Sequence, residues 1–251
     1  MKLLLASLSP LAIIAVRFTM ASLCLAPFLW RRASLHLLYP GFKVGALLFA
    51  GFLLQVTGLS YTTASKSAFI TGLNVVMVPF FSKAIAGEQV TLYSKVGALL
   101  AFLGLLLLTS PGGGLNIGDL LTLASAVSFA LQVVYVSKYT RRLDSITLTS
   151  AEIATVAVLS SPAALLSGIP RMSLWELAAL AYLALAATLL ALLLQVEGQK
   201  SVDSTTAAIV FSMEPVFAAF FSRLLLGEVL TRGVLIGGML ISAGMVLSSH
   251  K

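Results

Sequence analysis

Laid along itself with an offset of 140 residues (195 − 55), the chain matches without a gap from Gln55 to Gly104. Gln55 falls on Gln195, Gly58 on Gly198, Phe80-Phe81-Ser82 on Phe220-Phe221-Ser222, Gly87-Glu88 on Gly227-Glu228, and Gly104 on Gly244. Shared apolar composition would not align polar and glycine positions, so the match is an internal duplication. The chain is therefore expected to fold as two copies of one helical pattern, and what remains is how the copies are oriented.

Both copies lie in apolar runs. Runs of about 17 to 25 residues are long enough to cross a hydrocarbon core as helices. They fall near 9–30, 42–62, 64–86, 94–111, 117–139, 146–168, 174–196, 204–226 and 231–249. Hydrophobic residues make up 59% of the chain and charged ones 10%, whereas an ordinary soluble domain is about a quarter charged. The expected fold class is thus an all-α integral membrane protein, a transmembrane helix bundle of about nine spans. Its short connections leave no room for a soluble domain, so function must reside in the bundle. Five spans separate one copy from the other. Five is odd, and the second copy therefore crosses the membrane in the opposite sense. Inverted repeats of this kind are characteristic of secondary transporters, in which one half rocks against the other around a midplane site. The expected halves are residues 1–111 and 112–251.

The formal charge of +7 would suit a nucleic-acid partner only if it formed a patch on a folded surface. Instead, Lys and Arg sit at the ends of the apolar runs. If the first span ends in the cytoplasm, that side receives Arg31, Arg32, Lys43, Lys83, Lys95, Lys138, Arg141, Arg142, Lys200 and Lys251. The other side keeps Lys2, Lys66, Arg171, Arg223 and Arg232, with Arg17 inside the span. This bias predicts a cytoplasmic C-terminus. The start, "MKLLLASLSPLAIIAVRFTM", has the basic beginning of a signal peptide, but Pro10 and Arg17 interrupt its apolar stretch and the run continues to Trp30. It reads as an uncleaved helix. A single cysteine, Cys24, and two histidines, His36 and His250, supply neither a disulfide nor a metal cluster, and no nucleophile is paired with a base. An enzyme is not expected, nor a cofactor, a metal or a nucleic-acid partner; the partners expected are a small-molecule substrate and the lipid bilayer.

Several polar residues lie inside the runs, where each needs a partner or a purpose. Glu214 stands mid-run, directly before Pro215, and a proline-kinked helix carrying a carboxylate is the pattern of a broken-helix substrate site. Its repeat partner is Asn74 (214 − 140). Thr63, Ser67, Thr71 and Asn74 fall on one helix face, and Ser125, Ser128, Gln132, Tyr135 and Tyr139 form a second stripe. Interhelical hydrogen bonding competes with ligand contact for all of them, above all for the small hydroxyls. Gln132 and Tyr135 could line a pocket for a zwitterionic or aromatic solute, whereas Tyr139 suits an interfacial belt. Gln55 and Gln195 fit packing or ligand contact equally. Lys66 is expected to snorkel to the outer interface, and Arg17 shares the choice between snorkelling and an anionic ligand.

Other features have plainer readings. Glu88 and Glu228 each follow a glycine at a span end, which suits a cap and an interfacial turn. "SPGGGL" (110–115) lacks the Lys-Ser/Thr of a phosphate loop and reads as a turn. Gly97, Gly104, Gly237 and Gly244, with Gly233 and Gly238 nearby, give small faces that brace each half or join two copies as a homodimer.

Four stretches in their order, "LQVTGLSYTTASKSAFITGLNVVMVP", "GDLLTLASAVSFALQVVYVSK", "SMEPVFAAFFSRLLLGE" and the closing Gly-rich helix, resemble the EamA-type permeases of the drug/metabolite transporter superfamily over nearly the whole chain. The resemblance implies a ten-helix inverted-repeat bundle that moves small metabolites, often amino acids, across the inner membrane of a bacterium or archaeon. "LASLSPLAIIAVRF" matches the loop and second helix of that pattern, so the family's first helix has no counterpart among these residues. The expectation is a permease whose central cavity is lined by Gln55, Asn74, Gln132, Tyr135, Gln195 and Glu214, with proton coupling through Glu214. The rivals are a nucleotide-sugar or phosphate-ester carrier, which needs cations facing the cavity, and a non-transporting membrane assembly subunit.

Overall fold

Helix starts follow the local cap chemistry. Asn116 and Asp119 form a reciprocal capping box at the start of one helix, Ser173 and Glu176 form a second, and the side chains of Thr63 and Asp203 accept from backbone N–H groups three residues on. The computed structural model describes residues 4–32, 35–109, 116–166, 172–226 and 231–249. Among these the regular structure is all helical. After a short 3₁₀ turn come α1 (Pro10–Arg32), α2 (Leu35–Leu59), α3 (Ala64–Gly72), α4 (Asn74–Phe81), α5 (Leu92–Thr109) and α6 (Ile117–Thr140). They are followed by α7 (Ser145–Leu166), α8 (Leu174–Ala184), α9 (Ala191–Gly198), α10 (Ser204–Phe211), α11 (Glu214–Leu226) and α12 (Arg232–Ser249). A π-helical turn over Leu185–Leu190 joins α8 to α9, and another over Ser82–Ala86 follows α4 and ends at Gly87, whose φ of 65° is the left-handed conformation glycine accepts at no steric cost.

Joined end to end, these helices reproduce the expected spans. Six stretches among the described residues are long and apolar enough to cross a membrane: Pro10–Phe28, Tyr39–Leu59, Lys66–Ala86, Ile117–Thr140, Leu174–Gly198 and Arg232–Ser249. Leu92–Leu107 is a shorter apolar helix. The second helix starts at Leu35, well before the expected 42, because the apolar stretch ahead of Pro40 continues the same helix. The Gly227-Glu228 pair and the 110–115 turn lie outside the described residues, as do His250 and the charges at Lys2, Arg171 and Lys251.

The offset of 140 reappears in the helix boundaries. Ala64 and Ser204 begin α3 and α10, Asn74 and Glu214 begin α4 and α11, and the limits of α5 (92–109) map onto those of α12 (232–249). These last two related helices lie against each other with opposite polarity. A Cβ on Gly97 would sit 2.7 Å from the Gly244 carbonyl oxygen, and one on Gly104 would sit 2.6 Å from that of Gly237. Only glycine permits this backbone approach, and in lipid close packing of this kind replaces the hydrophobic force that is missing between helices. The glycine faces thus brace the bundle from within one chain.

Two apolar clusters flank the middle of the bundle. One gathers Val75, Val78, Leu105, Val134, Ile209 and Ile241 from α4, α5, α6, α10 and α12. The other gathers Ile14, Phe18, Leu48, Ile153, Val156 and Leu192 from α1, α2, α7 and α9. Large apolar side chains such as Leu103, Leu106, Leu235 and Met239 point outward on α5 and α12, as a lipid-facing surface requires.

Candidate functional site

A helix that breaks inside a membrane leaves backbone groups unpaired, a cost met only where those groups line a cavity or find other partners. Two such breaks occur, at Leu73 between α3 and α4 and at Ser212–Met213 between α10 and α11. They are equivalent in the repeat (213 − 73 = 140) and open on one cavity of about 370 Å³. The cavity is lined by Gln55 of α2, Ser67 and Thr71 of α3, Asn74 of α4, Ser212 and Glu214 at the second break, and the apolar Leu105 and Phe211. Gln55 Nε2 donates to Thr71 Oγ1 at 3.1 Å, which fixes one wall. Asn74 is half-buried, and Glu214 is exposed into the opening. Each is the first residue of its helix, so both helix N-termini, with their partial positive charge, lie at the cavity.

Three of the six expected residues, Gln55, Asn74 and Glu214, therefore share this cavity. The first polar stripe does too, although it is not one helix: Thr63 is the cap of α3, Ser67 and Thr71 face the cavity, and Asn74 stands beyond the break. Gln132, Tyr135 and Gln195 lie elsewhere. Gln195 Nε2 donates to Gln132 Oε1 at 3.1 Å, Gln132 Nε2 donates to Glu152 Oε1 at 2.7 Å, and Gln199 Nε2 donates to the Val133 carbonyl and to Ser137 Oγ, both at 2.9 Å. This clasp ties α6, α7 and α9 together. Tyr135 stacks on Tyr139 at 5.9 Å between centroids, with the Lys43 ammonium 4.0 Å over its ring. Ser125 bonds the Thr122 carbonyl of its own helix, the local alternative open to any small hydroxyl.

Charges close the two ends of α6. At its start Lys66 Nζ pairs with Asp119 Oδ2 at 2.5 Å, and Thr62 Oγ1 donates to Asp119 Oδ1 at 2.7 Å. Lys66 is buried in this pair and does not snorkel to the interface as its position in the sequence suggested; the carboxylate one turn into α6 is the nearer partner. Beyond the other end of α6, Arg141 Nη2 meets Glu88 Oε1 at 3.1 Å, and Glu88 Oε2 accepts from the Ser204 N–H at the start of α10, also at 3.1 Å. Glu88 is thus a cap, but of a helix in the other half. Arg17 is buried, with Nε bonded to Thr188 Oγ1 and Nη2 to the Ala187 carbonyl at 2.7 Å, both within the π-helical turn. Its guanidinium also lies 4.8 Å from the Phe52 ring centroid. Neither Lys66 nor Arg17 lines the cavity. Among the described residues no group of three His, Cys, Asp or Glu could hold a metal ion.

Two buried carboxylates in these networks, Asp119 and Glu152, escaped the reading of the sequence. Asp119 was legible only as part of the turn into its span. Glu152 sits in "TLTSAEIATV", where surrounding hydroxyls disguise an acid well inside the run.

Comparison with known proteins agrees with this geometry. The EamA-like transporter family matches residues 1–110 and 116–250. A relative from Archaeoglobus fulgidus, described as an uncharacterized transporter, is 34% identical over 100% of this chain and 80% of its own length. A second transporter of that organism, described the same way, is 28% identical over 100% of this chain and 91% of its own. A solved crystal structure superposes with a TM-score of 0.82 over 97% of this chain and 88% of that one, at 19% identity, which speaks for the fold alone. The protein is a multi-pass membrane transporter with prokaryotic relatives, and the chain belongs to the EamA-like transporter family.

Proposed function

We propose that the protein carries small metabolites, amino acids being the leading class, across a prokaryotic plasma membrane by alternating access, with its C-terminus in the cytoplasm. The observation behind this reading is the pair of repeat-related helix breaks that deliver Asn74 and Glu214 to one cavity. Helix N-termini suit a substrate carboxylate, while the Glu214 carboxylate suits an ammonium group, so a zwitterion fits both ends of the site. About 370 Å³ lies within the size range of small-molecule sites. Residues 1–111 and 112–251 are the halves that move, and protonation of Glu214 couples that movement to a proton gradient. The clasp of Gln132 and Gln195 and the stacked Tyr135 lie outside the cavity lining and hold neighbouring helices together. A homodimer would use the outward apolar faces of α5 and α12, since their glycine faces are occupied by each other.

Among the described residues no cation lines the cavity, so a nucleotide-sugar or phosphate-ester cargo finds no counter-charge from them. Transport by carriage rather than catalysis is the reading that a cavity with one carboxylate and no paired nucleophile supports. Uptake of labelled amino acids into proteoliposomes, with and without an imposed pH gradient, tests the proposal. Uptake that the gradient accelerates, and that Glu214→Gln leaves slow and indifferent to the gradient, is the expected result. Unchanged uptake and pH response in Glu214→Gln would remove Glu214 from the mechanism.

A further inference from the structure

Glu152 is 0% exposed, within α7, and lies outside the lining of the cavity. Its Oε1 accepts from Gln132, whereas its Oε2 has no hydrogen-bond partner among the described residues. Two amides of the clasp lead to it: Gln195 donates to Gln132, and Gln132 donates to Glu152, so the carboxyl is the final acceptor of that branch. A buried carboxylate needs a cation or several donors, and this one has a single neutral amide.

The elements packed against α7 are α1, α2, α6 and α9. Their described charged groups are engaged elsewhere: Arg17 with Thr188, Lys43 over Tyr135, Asp119 with Lys66, Lys138 with the Ile85 carbonyl, and Glu197 with Lys200. Of the neutral titratable groups on those elements, Cys24 and Tyr39 are exposed, and Tyr139 is stacked on Tyr135. None of these bonds Glu152. Along α7, toward its start, Thr149 Oγ1 is buried and also unpartnered, and Ser145 lies buried beside the exposed Glu197 carboxylate. Glu152, Thr149 and Ser145 are spaced by three and four, which puts them on one helix face.

We infer that Glu152 is a proton-binding site, reached from the Glu197 end of the bundle past Ser145 and Thr149. A proton on Oε2 removes the uncompensated charge and lets the Gln132–Gln195 clasp stay closed and dry. Its departure leaves a carboxylate that only water can solvate, and water enters only when α6, α7 and α9 separate. The group therefore links proton release to the separation of α6, α7 and α9, outside the lining of the cavity that holds Glu214. The link to opening rests on the alternating-access reading above; the bound proton does not.

Infrared spectroscopy of the full chain in lipid nanodiscs, with the proton itself as the probe, tests this without a substrate. A carboxylic-acid C=O band at neutral pH is expected in the wild type and in Glu214→Gln, and its loss in Glu152→Gln. Thr149→Val should keep the band but slow its deuterium exchange several-fold. A band that survives Glu152→Gln, or its absence from the wild type, would overturn the site. If Glu152→Gln does not fold, Glu152→Asp decides: a shifted band supports the assignment and an unshifted one overturns it. Failure of the band leaves the cavity reading standing, and failure of metabolite uptake with the band present does the reverse.

Discussion

Asn74 and Glu214 stand at the first position of helices 140 residues apart in the sequence and line one cavity. The duplication thus delivers two different polar groups to one place, an amide from one copy and a carboxylate from the other. A site with one acidic and one neutral pole can orient a dipolar solute, which two identical groups could not do.

The cavity is narrow enough to block. Ala68 lines it and presents only a methyl group. Ala68→Trp should fill much of the space, abolish uptake in proteoliposomes and leave the melting temperature near that of the wild type. Full activity in this variant would mean that the substrate passes elsewhere.

The glycine contact between α5 and α12 makes a stability prediction. Gly104→Ala would bring a methyl carbon to 2.6 Å from the Gly237 carbonyl, closer than any real contact, so the helices must separate. A loss of about 1–3 kcal/mol, typical of overpacking, is expected in thermal unfolding. Gly198→Ala, where a Cβ meets nothing within 4 Å, is the control and should cost far less.

Much of this architecture was legible beforehand, for reasons tied to particular residues. Membrane-length runs depend on local composition, so the limits of α6, of α12 and of α10 and α11 taken together fell within a few residues of expectation. Pro215 and the repeat pointed to the break before Glu214. What one sequence could not give was the rotation of each helix relative to its neighbours. Gln132 and Gln195 were expected to line the cavity, yet they meet Glu152 and each other. The stripe on α6 specified a face but not its partner, because an amide satisfies substrate and side chain equally well. Glu152 was hidden by the Ser and Thr around it, which made the start of α7 resemble an interface.

Glu88 and Arg141 illustrate how burial decides which half of an ion pair matters. Arg141 is 61% exposed in its side chain, so Arg141→Ala should cost no more than about 1 kcal/mol. Glu88 is buried and accepts from the Ser204 N–H. Glu88→Ala removes a helix cap and should cost about 1–2 kcal/mol in thermal unfolding. Equal effects of the two variants would contradict this assignment.

Lys66 and Asp119 should show the opposite, mutual dependence. Lys66→Met removes the cation from a carboxylate that retains Thr62 and its own capping bonds, and Asp119→Leu removes the carboxylate together with those bonds. The double variant is expected to lose less than the sum of the two single losses, because the ion pair is broken only once. Additive losses would show that the two residues act independently.

The most direct measurement is ligand-induced thermal stabilisation of the purified protein across amino acids, nucleosides, sugars, polyamines and cationic drugs, repeated with Glu214→Gln and Asn74→Ala. Only a ligand that favours the folded state raises the melting temperature. A hit among the amino acids that both variants lose is the expected result. A hit that neither variant disturbs would contradict the assignment of the site to the cavity between the two helix breaks.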